Sequence, residues 1–287
     1  MSKRILIVKD GDITIFEYLK ANLLGFSKNN IKSLLLKKMI SVNGNLVTKY
    51  DYLLKENDTV SIGTTEIGSG IKILFEDDNY LVLNKPAGLL TIKNEKEDTS
   101  LYEMASTYVK QRNSKNKIFI VHRLDKDTSG IVLFAKNEKI KNALQNDWNN
   151  ITKRIYYAVV LGETSDEGTL KSFLNETKTF KTYSSSKGKF AVTNFRKIIT
   201  NGKYTLVEIE IKTGRKNQIR VQFSDIKHPI VGDTKYGNKK EKFKRMMLHA
   251  KALEIKDPIS SQTLKFDTEI PNLFFDMAEI FRLKFVF

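Results

Sequence analysis

The chain has 287 residues, enough for one large domain with a small companion or for two domains. Its 49 Lys plus Arg against 33 Asp plus Glu give a formal net charge of +16, which points to an anionic partner such as nucleic acid or a membrane surface. The absence of cysteine excludes disulfides and thiolate metal sites, three scattered histidines make no metal cluster, and no apolar run approaches the ~18 residues of a membrane span, so a cytoplasmic monomer without membrane contact is expected.

Ile15, Leu19 and Leu23, with Phe16 beside them, space out a first helix over 14–24. Ser27 suits the N-cap of a second helix, whose apolar face is Ile31, Leu34 and Leu35. Lys28, Lys32, Lys37 and Lys38 surround that face, and between Thr14 and Lys49 six Lys stand against one acid, Glu17. Then follow Ile40–Val42, the turn Asn43-Gly44-Asn45, Leu46-Val47 and a closing strand at Val60–Ile62. In this order the elements resemble the S-four-type RNA-binding domain, over residues 13–62. The resemblance implies an RNA partner for Lys28, Lys32, Lys37 and Lys38. A solvated, Lys-rich helix face is the alternative.

The run GTTEIGSG at 63–70 reads as a linker, giving an amino-terminal domain over 1–62, a connection over 63–71 and a catalytic domain over 72–287. Two short strands, Ile71–Phe75 and Tyr80–Leu83, lead to a turn that starts at Asn84-Lys85-Pro86. Leu101, Met104, Ala105, Tyr108 and Val109 form a helix stripe capped by Asp98 or Thr99. Asn137 caps a helix marked by Ile140, Leu144 and Trp148, with Trp148 expected in the core. Ile155–Leu161 reads as a buried strand, 175–190 as an exposed loop or irregular hairpin, and Val207–Ile211 as a strand with one wet face. Asn217–Phe223 opens a helix. Gly232-Asp233 and Tyr236-Gly237 mark a long surface loop, and Leu248-His249-Ala250 enters a final sheet. Leu273, Phe274, Met277, Ile280 and Phe281 form a last helical stripe. Strands outnumber helices and parallel crossovers are not regular, so the expected class is α+β. It combines a mixed, largely antiparallel sheet with flanking helices, plus the small α+β unit at the amino terminus.

The stretch with the densest chemistry is HRLDKDTSG, His122–Gly130, set between apolar runs. Its local reading is strand, tight polar connection, strand, with Asp, Thr, Ser and Gly as turn formers. Asp125 lies between Arg123 and Lys126, and an acid among cations suits a nucleophile or base. A charged hairpin loop without chemistry is the plainer reading.

HRLDKDTSGIVLFAKN is similar to the signature of the RluA family of pseudouridine synthases. LNKPAGLLT, RIYYAVVLG, TGRKNQIR and HPIVGDTKYG resemble that family's other motifs and occur in its order, over roughly 72–287. The resemblance implies isomerisation of uridine in RNA, with no cofactor and no metal. It makes Asp125 the catalytic carboxylate, Arg220 the arginine that pairs with it, and Tyr156 the tyrosine that stacks on uracil and helps move the carbon-five proton. It also assigns Arg123 to the RNA beside the flipped nucleotide. His122 is either a structural partner or an RNA contact. Asn84, Lys85 and Pro86 are expected to form a scaffold under the site, with Lys85 alternatively pairing a phosphate or carboxylate. Asp127 suits turn capping before Thr128 and Gly130, and Arg215 supports the later segment. Asn217 and Gln222 stand where the family pattern commonly has His; both keep hydrogen-bonding capacity and lose the titratable group. The expected partner is ribosomal RNA of the large subunit, with transfer RNA as the alternative.

Two rival readings remain at this point. Asp125-Lys126-Asp127-Thr128 fits the DxDxT pattern of a magnesium-dependent aspartyl phosphohydrolase, although Gly232-Asp233 lacks a following acid for metal. The other is a non-catalytic RNA-binding or ribosome-assembly protein that keeps only the fold.

Overall fold

The computed structural model describes residues 4–23, 26–36, 39–43, 45–62, 65–67, 70–95, 97, 99–111, 113–237 and 243–278. Among these, no helix is long and apolar enough to cross a membrane.

The amino-terminal residues build their own small core. The helix Ile15–Asn22 starts at Thr14, whose hydroxyl accepts the Glu17 N–H, and buries Ile15, Tyr18 and Leu19. Ser27 caps the helix Lys28–Leu36 through the Asn30 N–H at 3.2 Å, as its sequence position predicts. Ile31 and Leu35 of this helix pack into the same cluster as Ile40, Val42 and Val60. The sheet beneath orders its strands Arg4–Ile7, Thr59–Ile62, Ile40–Val42 and Asn45–Leu46. The first strand has no counterpart in the sequence reading. Lys37, Lys38 and Gly44 lie outside the described residues.

A 12-stranded sheet forms the body. Across it run Thr182–Ser185, Glu167–Glu176, Lys189–Thr200, Tyr204–Ile211, Thr152–Leu161, Leu248–Lys256, Ser129–Ala135, Tyr80–Lys85, Ile71–Glu76 and Thr65–Ile67. All these neighbours are antiparallel except Ser129–Ala135 and Leu248–Lys256, which run parallel. The mixed, largely antiparallel α+β architecture is therefore the one expected.

Several local expectations are corrected. Residues 65–67, assigned to a linker, form a strand that pairs with Ile71–Ile73 and closes the sheet edge. The cap of the helix Leu101–Lys110 is Ser100, one or two residues beyond the expected Asp98 or Thr99. Of the two readings of 175–190, exposed loop or irregular hairpin, the structure has the hairpin, with Thr182–Ser185 in ladder with Phe173–Glu176. The next strand starts earlier, at Tyr204, but over Val207–Ile211 the expected alternation holds, with Val207, Ile209 and Ile211 buried and Glu208 and Glu210 partly exposed. The last helix spans Asn272–Ala278, with Phe274 buried, while Ile280 and Phe281 lie outside the described residues. Among the described residues, the amino-terminal unit meets the body at Asn30 and Phe26. Asn30 donates to the Glu76 carbonyl at 3.0 Å, and the rings of Phe26 and Phe75 meet edge-on at 5.6 Å.

Candidate active site

The loop that carries Asp125 precedes the strand Ser129–Ala135, whose seven residues are all buried. Inside the loop, the Thr128 N–H returns to the Asp125 carbonyl at 3.2 Å. Two clamps from the segment 85–91 then fix the backbone on either side of Asp125. Before it, the Thr91 hydroxyl accepts the Leu124 N–H at 3.1 Å and donates to the Leu124 carbonyl at 2.8 Å. After it, the Lys126 carbonyl accepts the Lys85 ammonium and the Gly88 N–H, both at 2.9 Å.

Lys85 is fully buried, and its other two hydrogen bonds go to the carbonyls of Pro86 and Leu89 at 3.0 and 2.6 Å. Burial pushes its ammonium down to about 7, against the opposing fields of Asp127 and Asp125. Each of these hydrogen-bond partners is a backbone carbonyl beneath the Asp125 loop. Asn84 reaches the other way, to the Thr268 hydroxyl at 2.8 Å. Behind the loop, Gly130 has φ +114°, and a Cβ there would stand 2.2 Å from the Ala250 carbonyl oxygen, so only glycine fits. Beside it, the Ser129 hydroxyl lies 2.7 Å from His249 Nδ1 and accepts from Arg245 at 2.7 Å.

Arg220 arrives from the helix Gln218–Asp225. Its Nη1 donates to Asp125 Oδ2 at 3.0 Å, which joins residues 95 positions apart in sequence. The rest of the fork is taken by Asp233: Nε to Oδ2 at 2.7 Å and Nη2 to Oδ1 at 2.9 Å. Asp233 is 3 % exposed, so the expected surface loop turns inward here. Burial would raise the Asp233 carboxyl, but the Arg220 hydrogen bonds and charge, with the backbone N–H groups of Tyr236 and Lys235, hold it below its ordinary value. Burial works against the Arg220 charge, and Asp233 and Asp125 more than compensate, raising its pKa. Asn217 Oδ1 also accepts from Nη1 at 3.0 Å, and the Tyr236 ring lies 5.2 Å from the guanidinium carbon. The Asn217 amide then donates to the Tyr236 hydroxyl at 3.1 Å. Gln222 points elsewhere, toward Ser172 and the carbonyls of Leu170 and Ala191. Both residues are therefore hydrogen-bonding framework.

Asp125 opens onto a cleft of about 170 Å³ walled by Arg123, Tyr156, Ile211, Arg215 and Lys216. The Asp125 side chain is 34 % exposed there, against 9 % for Arg220. Tyr156 sits at a break in register: Ile155 pairs with Ala252, but Tyr156 pairs with Ala250. Such bulges re-aim side chains beside functional sites. Burial pushes the Tyr156 hydroxyl up to about 12, and Arg154 opposes the shift. Arg215 supports the wall through its Nε bond to the Phe190 carbonyl at 3.0 Å.

His122 and Asp127 are among the central-loop residues that do not line the cleft. His122 Nε2 accepts the Leu133 N–H at 3.0 Å, and its ring stacks on Trp148 at 4.8 Å. Burial, with Arg154 nearby, lowers it to about 3. Asp127 is exposed and makes none of the turn-capping hydrogen bonds among the described residues; the Asp125 carbonyl closes the turn instead. On the amino-terminal unit, Lys28 and Lys32 line another cleft, of about 410 Å³, with Phe16, Glu17, Tyr50 and Asp51. Among the described residues, no group of three or more His, Cys, Asp or Glu is placed to hold a metal ion.

Sequence reading missed Thr91, Asp233 and Tyr236. A signal existed for Asp233: it precedes Lys235 and Tyr236, whose N–H groups its Oδ1 accepts at 2.9 and 3.0 Å, a pattern typical of Asp in turns. Nothing local marks its second task of holding Arg220.

Residues 79–225 match the family described as RNA pseudouridylate synthase. A Bacillus subtilis protein named uncharacterized RNA pseudouridine synthase YhcT is 33% identical over 94% of this chain and 93% of its own. The Borreliella burgdorferi ribosomal large subunit pseudouridine synthase D is 33% identical over 95% of this chain and 90% of its own. Among solved structures, human RNA pseudouridylate synthase domain containing 4 superposes with a TM-score of 0.60 at 22% identity, over 70% of this chain and 89% of that one, a likeness of fold. The chain belongs to the RNA pseudouridylate synthase family, enzymes that isomerise uridine in RNA.

Proposed function

We propose that the chain converts a defined uridine of large-subunit ribosomal RNA into pseudouridine, with Asp125 as the catalytic carboxylate. The observation that carries the assignment is the Asp125–Arg220 pair at the mouth of a cleft walled by Tyr156. Arg220 occupies one carboxylate oxygen, Oδ2, and leaves Oδ1 for the nucleoside. In the reaction the bond from ribose carbon one to uracil nitrogen one breaks, the base turns over, and a bond from the same ribose carbon to carbon five forms. The carbon-five proton leaves, and nitrogen one ends protonated, so the product is an isomer of the substrate. A carboxylate held beside the sugar–base junction stabilises the positive charge that builds there as the first bond breaks. Arg220 is a positioning residue that fixes its angle. Tyr156, kept as a phenol at neutral pH, stacks on uracil and relays the proton through its hydroxyl instead of acting as a standing phenolate. Arg123, exposed at the rim, fills the gap left in the RNA stack.

Residues 1–62 act as an S-four-type RNA-binding unit joined to a catalytic domain whose sheet starts with the strand Thr65–Ile67. The separate core and the exposed Lys28 and Lys32 support that division. Phosphate contacts from this unit position the RNA, while the cleft chooses the base. The names of the relatives favour ribosomal RNA, and family membership displaces the phosphohydrolase and non-catalytic readings. Mapping pseudouridines in ribosomal and transfer RNA, from cells with and without the gene, tests the substrate. Loss of one large-subunit site is expected; loss confined to transfer RNA would move the assignment there.

A further inference from the structure

The hairpin that joins Glu167–Glu176 to Thr182–Ser185 ends in a feature that the reaction has not used. Phe180, at its tip, is 70 % exposed and has φ +60°. Bulky side chains rarely adopt that conformation, and a residue needed only to close the turn would be Gly or Asn. The tip is nonetheless built firmly. The Phe180 N–H donates to the Thr177 carbonyl, and the Thr177 N–H to the Lys181 carbonyl, each at 2.9 Å. From the site's own loop, the Lys235 ammonium reaches the Phe180 carbonyl at 2.9 Å. Lys216, a wall residue of the cleft, lies over the Phe180 ring at 5.2 Å and pairs with Glu176. At the hairpin's base, the Thr182 N–H donates to the Tyr236 hydroxyl at 3.0 Å, and Tyr236 packs on Arg220. An exposed aromatic ring is thus fixed one side chain away from Asp125's cleft. Lys216 and Lys235 both reach it, and Lys178 and Lys181 stand two and one positions from it in the chain.

We propose that Phe180 is a stacking platform for an unpaired nucleotide of the substrate RNA, next to the uridine that enters the cleft. The proposal rests on the RNA reading of that cleft. Extruding a uridine leaves its neighbours without a stacking partner on one side. A rigid ring among cations takes such a base whatever its identity, while the lysines meet its phosphates. The side chain acts in binding, so it sets KM and leaves the bond-making step alone.

The test uses the full chain and bulk ribosomal RNA tritiated at uridine carbon five, from cells lacking the gene. Phe180→Ala and Phe180→Leu raise KM for tritium release about tenfold, the loss of one base stack, with kcat within about twofold of wild type. Phe180→Trp restores KM, and all three variants keep the wild-type melting temperature. An unchanged KM in Phe180→Ala, a Leu variant as good as Trp, or a loss in kcat in place of KM would each overturn the platform. Filter binding of the same RNA reads the contact without turnover. An inactive wild type whose binding still depends on Phe180 would sink the reaction assignment and leave this one standing.

Discussion

Arg220 holds two carboxylates at once: Asp233 takes the Nε and Nη2 side of its guanidinium at 2.7 and 2.9 Å, and Asp125 takes Nη1 at 3.0 Å. The two acids are unequal. Asp233 is buried and also tied to two backbone N–H groups, while Asp125 opens to the cleft. Asp233 thus anchors the arginine, and the arginine aims Asp125. Replacing Asp233 by Asn leaves the buried cation with one carboxylate partner where it had two. Breaking such a pair costs about 3–5 kcal/mol, read as a lower denaturant midpoint, and misaiming Asp125 lowers turnover by about 10²-fold. Wild-type stability with wild-type turnover would show that Arg220 needs no anchor.

Lys85 gives a second prediction. Its ammonium satisfies the carbonyls of Pro86, Leu89 and Lys126, the last being the residue after Asp125. Lys85→Met fills the same space and removes three hydrogen bonds, at about 1 kcal/mol each, so about 3 kcal/mol of stability is lost. Activity falls with it, because the Asp125 loop loses one of its two clamps. Urea unfolding of the variant measures the first effect, and a variant as stable as wild type would contradict the carbonyl account.

Acid stability follows from His249. Burial, with Arg245 and Lys251 close by, pushes its folded value down to about 3 from an ordinary 6.5. Between those values the unfolded chain binds a proton that the folded chain refuses, so stability falls as the pH drops below about 6.5. From pH 6.5 to 5 this group alone removes about 2 kcal/mol. His249→Asn, which keeps an amide near Ser129 and does not titrate, makes that stretch of the profile shallower, the remaining slope coming from His122, which burial lowers alike. An equally steep profile in the variant would clear His249 of the effect.

Binding by the amino-terminal unit is electrostatic in this account. Lys28 and Lys32 lie one helical turn apart and line one cleft. Replacing both by Ala weakens RNA binding and flattens the plot of log K against log salt by about 1.4, the share of two single-strand phosphate contacts. Filter binding at several salt concentrations reads the slope, and an unchanged slope would take these residues off the RNA.

What the sequence reveals depends on how local the cause is. Ser27 and Asn137 cap their helices where one residue's chemistry says they should. At Asp98-Thr99-Ser100 three capping residues compete, and Ser100 wins because it alone has Glu103 three positions on, hydroxyl and carboxylate meeting at 3.4 Å. Residues 65–67 look like a linker because their neighbours are small and polar. They become a strand because the sheet edge at Ile71–Ile73 has hydrogen bonds to fill. At the site, Asp125, Arg220 and Tyr156 are legible because each sits in a dense motif. Asp233, Thr91 and Tyr236 are not, since each acts through a partner in a distant segment.

The central claim is that the Asp125 carboxylate does the chemistry once RNA is bound. Asp125→Asn, assayed for tritium release from RNA labelled at uridine carbon five alongside filter binding, tests it most directly. The account predicts binding within about twofold of wild type and no release beyond the enzyme-free control. Release at the wild-type rate from the Asn variant would contradict it.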